Sequence, residues 1–536
     1  MITEDQSEVV AFLSSPATHG GAAVERIDTH ASIVFLAGPR ALKLKRAVRY
    51  DYLDFSTASR RRAMCEAEVG VNRRTAPSLY RGVVPVTRER TGALAIGGGG
   101  TPVDWLVDMA RFDQDGLFDR LAARHALDLA LMRPLAAAIA DLHRVAEPRA
   151  EHGGRAGMAW VVDGNAAGFA EQGAGVLDGS SCAQLTSAAR LAVERHSALL
   201  DARRGQGCVR QCHGDLHLRN IVLIDGRPTL FDAIEFNDEI ACIDVLYDLA
   251  FLLMDLWRRG LPDHANAVWN AYLGETDSVG GVLSDAAREG SQDGLLLMPL
   301  FLSCRAAVRA KTTATSASLQ NDPRRRADLE GEAREYLAMA HALIAPPPAF
   351  VLAIGGVSGT GKSTLAHALA PSTGAVPGAV VVRSDEIRKR LFGVDPLVRL
   401  GTDGYTAEVS RRVYATVMDR SAAIARAGCV AIADAVFARQ ADRRAIEHAV
   451  RVAGVPFVGL WLEAPEPVLL ARTAERRLDA SDADAAVIRS QLAQDTGPIT
   501  WQRLDASRDL EIVVRHARAA VEQALKDNGA RHARMA

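Results

Sequence analysis

Residues 351–366 read VLAIGGVSGTGKSTLA. An apolar run of strand character leads directly into Gly356-Val357-Ser358-Gly359-Thr360-Gly361-Lys362-Ser363, a complete G-x-x-x-x-G-K-S, and Thr364-Leu365-Ala366 then opens a helix. The glycines let backbone amides converge on phosphate oxygens, and the new helix presents its positive end to them. Lys362 has the reach for β and γ phosphates, and the Ser363 hydroxyl suits Mg²⁺. Around this loop the pattern alternates: strand VLAI, helix, strand AVVV, helix, strand CVAIA, helix, strand FVGLWL, then helices to the end. That alternation predicts a parallel sheet covered on both faces.

Two carboxylates close later strands of this half. Asp434 ends CVAIA and suits the metal; Asp385 follows AVVVRS and should enter the same crevice, because ligands gather at the carboxyl ends of parallel strands. Arg472, Arg476 and Arg477 share a helix, either as a solvated face beside Glu475 or as a lid that brings guanidinium groups over transferring phosphate. On GGVSGTGKST, RSDEIRKRLFG, the strand ending in Asp434 and ARTAERRLDASDAD, residues 349–527 resemble P-loop kinases of the gluconate kinase, shikimate kinase and zeta toxin group, of the AAA-family ATP-binding type. The resemblance implies an α/β P-loop NTPase domain in which Asp385 is the base for the acceptor hydroxyl and Arg388 an acceptor contact.

Pro346-Pro347-Pro348 marks the clearest boundary, since consecutive prolines lack amide donors and favour extended chain. The expected domains are residues 1–345, a linker of 346–348, and residues 349–536. Within the first, residues 24–107 read as a small lobe: VERID, SIVFLAG and ALKLKR are strands, SRRRAMCEAEVGVNRR is helical, and GVVPVTRE and GALAIGG resume strand character. Residues 108–345 are mostly helical in period, with the stretch from Ala150 to Ser181, rich in Gly and Ala, read as a mobile connection. Inside this lobe, His213-Gly214-Asp215-Leu216-His217-Leu218-Arg219-Asn220 contains H-G-D-x-x-x-x-N, and Asp232 follows the strand RPTLF. An Asp on a tight loop can accept the proton of an attacking hydroxyl, and the Asn and the second Asp can hold metal on the phosphates. Zinc held by Cys208, Cys212 and His213 is the weaker reading, because no second ligand pair lies nearby.

These residues look like the aminoglycoside phosphotransferase family, a branch of the protein-kinase-like fold, over residues 24–340. The resemblance implies Asp215 as catalytic base, Asn220 and Asp232 as Mg²⁺ ligands, and a lysine from ALKLKR on the α and β phosphates. Alternation puts Lys43 and Lys45 on one face, with Lys43 favoured, and the helix partner is Glu68 or Glu66, with Glu68 favoured. Asp108-Met109-Ala110-Arg111 would be the adenine-contacting hinge. The first loop, Asp28-Thr29-His30-Ala31-Ser32, has no G-x-G-x-x-G, so protein substrates lose support. Asp244, Asp248 and Arg305 do not by themselves define an acceptor pocket. The tandem order, with VFLAG, LDFS, LYRGVVPV and CHGDLHLRN, resembles a bacterial group of two-domain proteins joining these two kinases. The expected fold class is therefore an α+β kinase-like bilobal domain followed by an α/β P-loop domain.

Composition narrows the function. The chain has 536 residues, enough for three to four packing units at about 150 residues each. With Lys+Arg at 63 against Asp+Glu at 65, there is no global basic field to hold nucleic acid or anionic membrane. Seven scattered cysteines do not make a disulfide framework, which suggests a reducing cytoplasm, and the acidic start MITEDQSEVVAFL does not read as a signal peptide. The expected activity is ATP- and Mg²⁺-dependent phosphoryl transfer to hydroxyl groups of small molecules at two separate sites. The rivals are a regulator in which one domain only binds nucleotide, and a polynucleotide kinase activity of the second half. The first does not need both base-type and metal-type carboxylates, and the second finds no basic tract to follow a phosphate backbone.

Overall fold

The computed structural model describes residues 3–535 apart from 51, 172, 277–292, 396 and 476–479. The described residues within Met1–Asp163 and Val193–Arg259 form one compact unit, and those within Gly164–Ala192 and from Gly260 onward form a second.

The first unit is organised by an antiparallel sheet. Its strands are β1 (Val24–Asp28), β2 (Ser32–Ala37), β3 (Arg40–Lys45), β6 (Tyr80–Arg88), β7 (Leu94–Ile96) and β8 (Thr101–Ala110), in the order β1-β2-β3-β8-β6-β7; β4 (Arg49–Tyr50) and β5 (Leu53–Asp54) make a separate ribbon. The period-2 alternation of SIVFLA and RALKLK divides the apolar residues between two faces. Phe35, Leu42, Leu44 and Leu106 pack with Val9 and Leu13 of the helix Ser7–Ser14. Leu36, Ala41, Val107 and Met109 pack with Cys65 and Val69 of the helix Ala58–Asn72. Thr57 caps that helix by accepting from Arg60 N at 3.3 Å. Farther along, β9 (Val209–Gln211) leads into the loop carrying Asp215, the hairpin β10 (Ile221–Ile224) and β11 (Arg227–Leu230) leads into Asp232, and β12 (Cys242–Asp244) pairs back on β9.

In the second unit the helices Met298–Ser318 and Pro323–Ile344 pack along each other. A parallel sheet follows, with β13 (Val351–Gly355), β14 (Val380–Arg383), β15 (Ala431–Asp434), β16 (Phe457–Glu463) and β17 (Gln502–Asp505) in the order β14-β15-β13-β16-β17. Leu352, Ile354, Ile432, Leu460 and Leu462 form its core with Leu365 and Leu369 of the helix Lys362–Leu369 and Val513 and Ala517 of the last helix. The order places β13, and hence the phosphate loop, beside the tips of β15 and β16.

Three features differ from the expectations. The stretch from Ala150 to Ser181 is no mobile connection: Gly154–Glu171 is a helix with Met158, Val162 and Phe169 buried at helical spacing, so the apolar period outweighs the low propensity of glycine. β17 went unread because QRLD is an edge strand with one buried residue and no apolar run. Finally, the packing division does not coincide with 346–348, because the helix Pro262–Thr276 docks on the outer strand β14. Asn266 Nδ2 donates to Pro377 O at 3.1 Å and Ala379 O at 3.0 Å, and Asn270 Oδ1 accepts from Val381 N at 2.8 Å. The two asparagines thus satisfy backbone groups that an open sheet edge would leave unpaired. Replacing both by alanine is expected to cost about 2 kcal/mol, the penalty of buried groups left without partners; an unchanged denaturant midpoint would contradict this.

Two candidate active sites

In the first unit, β3 presents Lys43 and Lys45 to one carboxylate. Lys43 Nζ lies 2.8 Å from Glu68 Oε1 and 2.6 Å from Asp232 Oδ1, while Lys45 Nζ lies 2.6 Å from Glu68 Oε2 and also pairs with Glu235. Glu66 points elsewhere, pairing with Arg62 at the surface. The helix residue facing the strand is therefore Glu68, and Lys43 is the lysine that also meets Asp232. Asp232 has φ 61°, and its amide donates to the Tyr80 hydroxyl oxygen at 3.1 Å; a left-handed aspartate held at a loop is the kind of local strain found at functional positions.

Asp215 and Asn220 meet directly: Asn220 Nδ2 donates to Asp215 Oδ2 at 3.0 Å and to Asp215 O at 2.9 Å. The loop is supported from behind by Asp248, whose carboxylate accepts from the amides of His213 at 3.1 Å and Gly214 at 2.9 Å and lies 3.1 Å from His143 Nε2. Cys212 and His213, the weaker zinc candidates, turn to the carbonyls of Ile243 and Phe231. Asp244 pairs with Arg203 at 2.7 Å. At the expected hinge, the amides of Ala110 and Arg111 are committed to Leu79 O and Pro39 O, and Asp108 is held by Arg40 at 2.8 Å.

Burial opposes ionisation of Glu68, but the Lys43 and Lys45 ammonium groups more than offset it and pull its pKa down to about 2. The folded value lies below the ordinary glutamate value of 4.5. The resulting stabilisation is therefore complete above that ordinary value and disappears as pH falls through about 2. Glu68→Gln, which leaves two buried cations short of a partner, is expected to cost about 3–5 kcal/mol at pH 7. The deficit should shrink at pH 3, as denaturant titrations at the two pH values would show. An equal deficit at both would contradict the assignment of charge.

In the second unit, the loop after β13 uses glycine where the backbone demands it: Gly359 and Gly361 have φ 90° and 88°, and a Cβ on Gly359 would meet Leu469 O at 2.8 Å. Gly356, Ser358, Thr360 and Thr364 complete the expected loop, and Lys362 Nζ donates to Val357 O at 3.2 Å. Ser363 Oγ donates to Asp434 Oδ2 at 2.5 Å, which joins the two expected metal residues. A cavity of 1370 Å³ runs from this loop past Asp385, Arg388, Tyr405 and Tyr414, with Arg472 on its wall. Arg476 and Arg477 lie outside the described residues. Burial, and then the neighbouring Asp434 carboxylate, raises the pKa of Asp385 above the ordinary aspartate value. Arg388 donates to Gly404 O at 2.7 Å and stacks on Tyr405. The donor set of hydroxyl and carboxylates is chemically suited to a hard divalent ion, and so is the Asn220 and Asp232 pair of the first site.

Several contributors escaped the sequence reading. Asp248 and Glu235 are buried acids, and Asp248 carried a legible signal as a carboxylate inside the apolar helix VLYDLAFLLMD. Asp482 gathers Lys389 Nζ at 2.6 Å, Tyr405 OH at 2.7 Å and Leu400 N at 3.0 Å. Gln491 Oε1 accepts from Ser358 N at 2.8 Å, within the phosphate loop itself. Arg383 reaches Ser363 Oγ at 3.2 Å. Arg383 and Asp482 lie inside the motifs RSDEIRKRLFG and ARTAERRLDASDAD, but nothing local shows their partners, because each of the three reaches residues that are distant in the chain.

The folds and these sites define a class: the chain is a kinase with two kinase-type domains, a phosphotransferase-type domain and a P-loop ATP-binding domain. Residues 79–282 match the model of the phosphotransferase enzyme family, and residues 351–498 match that of the AAA domain. An uncharacterised protein of Mycobacterium tuberculosis is 28% identical over 489 residues, covering 90% of this chain and 92% of its own. The adenylyl-sulfate kinase of Myxococcus xanthus is 29% identical over 149 residues, 28% of this chain and 72% of its own. Among solved structures, a choline/ethanolamine kinase family protein from Mesorhizobium loti is 14% identical with a TM-score of 0.35, covering 64% of this chain and 95% of its own. A sugar kinase from Janibacter is 20% identical with a TM-score of 0.26, covering 33% and 95%. Kinases of these families use ATP and typically Mg²⁺. Among the described residues, no helix is long and apolar enough to cross a membrane.

Proposed function

We propose that the chain is an ATP-dependent phosphotransferase that acts on hydroxyl groups of small molecules at two separate Mg²⁺-nucleotide sites, one in residues 1–345 and one in residues 349–536. The observations that support this reading are contacts between a lysine, metal-type donors and base-type carboxylates in each half: Lys43 meets Asp232 and Asn220 meets Asp215 in the first, while Ser363 meets Asp434 in the second, with Lys362 and Asp385 lining the same cavity. On this reading Lys43 and Lys362 grip phosphate, Asn220, Asp232, Ser363 and Asp434 are the metal donors, and Asp215 and Asp385 are the bases. Bound Mg²⁺ would screen phosphate charge and orient the transferring group. The chain's own part is to grip phosphate oxygens with Lys43 or Lys362, to hold the acceptor hydroxyl, and to take its proton on a carboxylate oxygen of Asp215 or Asp385. The raised pKa of Asp385 moves it toward better proton affinity. Arg388 and Arg472 both line this cavity; on this reading Arg388 contacts the acceptor and Arg472 the transferring phosphate. The work is cytoplasmic on this reading, with nucleotide and small hydroxyl compounds as partners rather than nucleic acid or membrane.

A metabolite screen tests it. The full chain is incubated with ATP and pooled hydroxyl compounds, and phosphorylated products are read by mass spectrometry with Lys43→Ala and Lys362→Ala each in turn. Products lost selectively in each variant support two sites. ATP bound at both sites with no product formed would instead favour a nucleotide-switch regulator.

A further inference from the structure

The second site contains a cation that the phosphate-loop motif does not require. Arg383 ends β14, and its side chain is only 11% exposed. Its Nη2 donates to Ser363 Oγ at 3.2 Å, its Nε lies 3.5 Å from Asp434 Oδ2, and its Nη1 donates to Glu386 Oε1 at 3.2 Å. One planar guanidinium therefore touches both oxygens that the reading above gives to Mg²⁺, and Glu386 steadies it from a third side.

We propose that Arg383 is a built-in counter-ion of the Ser363–Asp434 pair that competes with the divalent ion for it, so that this site holds nucleotide without metal and admits metal only as the guanidinium turns away. The inference rests on the reading of this site as a nucleotide site. Electrostatics drives the competition. A divalent ion and a guanidinium in contact with the same oxygens repel each other across a partly buried gap, where screening by water is weak. Without either cation, the carboxylates of Asp434 and Asp385 would face the phosphates of a nucleotide with charge of the same sign. Arg383 can turn without losing every partner, because Glu386, in the first turn of the helix Ser384–Leu391 that follows it, already holds one of its nitrogens. A guanidinium released from Asp434 toward the cavity would also be able to grip a phosphate oxygen in a planar fork, which an ammonium group cannot reproduce.

Binding in the presence and absence of metal separates this role from a merely structural ion pair. ATP is titrated by calorimetry into the full chain carrying Lys43→Ala, once in EDTA and once in excess Mg²⁺, with Arg383 intact, Arg383→Gln and Arg383→Lys. Arg383→Gln should weaken binding in EDTA by about tenfold, the scale of a hydrogen bond to a charged group, while binding in Mg²⁺ stays equal or tightens. The Mg²⁺ concentration for half-maximal effect should fall, and Arg383→Lys should lie between. Equal losses under both conditions, or no change in either, would overturn the proposal. Lys362→Ala in the same background serves as the control: if ATP still binds there with full affinity, the nucleotide is not on this loop, and the reading of the site falls together with the role of Arg383.

Discussion

Asp215→Asn is expected to slow phosphoryl transfer at the first site by about 10²- to 10⁴-fold, the usual worth of a positioned general base, and to leave ATP affinity nearly intact. The two effects separate because the groups that would grip the donor are elsewhere. Lys43, Glu68 and Asp232 form one connected set of charges, whereas Asp215 is bound to Asn220 and keeps its side chain 38% exposed, open to an incoming hydroxyl. An amide in its place keeps the shape and an oxygen to accept from Asn220 Nδ2, but it accepts no proton from an attacking hydroxyl. A base acts on the acceptor and adds little to ground-state binding of ATP, so kcat should fall without a matching change in nucleotide Kd. The measurement is transfer of labelled phosphate to an acceptor found by the screen, in a chain whose second site is silenced by Lys362→Ala. Full transfer in the double variant would remove Asp215 from the reaction.

Lys362→Ala is expected to weaken nucleotide binding at the second site by about 10- to 100-fold, since hydrogen bonds to a charged group are worth about 1.5–3 kcal/mol. Lys362 begins the helix Lys362–Leu369, and its side chain folds back over the loop to Val357 O. It is therefore placed to trade a neutral carbonyl for phosphate oxygens. Calorimetry with ATP, in a chain carrying Lys43→Ala so that one site remains, gives the answer directly. An unchanged Kd would show that nucleotide is not held by this loop.

Both expectations rest on motifs that are local in sequence, which is also why they were legible. The phosphate loop needs eight consecutive residues between a strand and a helix, and the structure has β13 and the helix Lys362–Leu369 in those places. H-G-D-x-x-x-x-N spans one loop, and its Asp and Asn indeed meet. The choice of Glu68 over Glu66 was harder, because both lie on the same helix and only its rotation against β8 and β6 decides which faces the lysines. Lys45 was visible only as an alternative to Lys43, while the structure gives each lysine one oxygen of the same carboxylate. Arg383 and Asp482 lie inside the motifs of the P-loop half, but their partners could not be read from those motifs, and nothing in the sequence pointed to Gln491. Gln491 lies 133 residues beyond the Ser358 amide that it meets, so no periodicity or motif connects them, and only the folded chain brings the helix Ala485–Ala493 over the phosphate loop.

The asparagine contacts on β14 bear on the ancestry of the chain. Here the Val381 amide on the outer strand donates to Asn270 Oδ1, 111 residues earlier and inside the span matched by the phosphotransferase family. A gene broken at the codons of the three prolines would separate that strand from the side chains that cover it. The P-loop segment transplanted alone would then present the Val381 amide and the Ala379 carbonyl to any passing strand, a known route to aggregation. Recombination that shuffles the two catalytic segments as independent cassettes would be selected against on solubility alone. A P-loop segment meant to stay soluble would have to carry the helix Pro262–Thr276 with it.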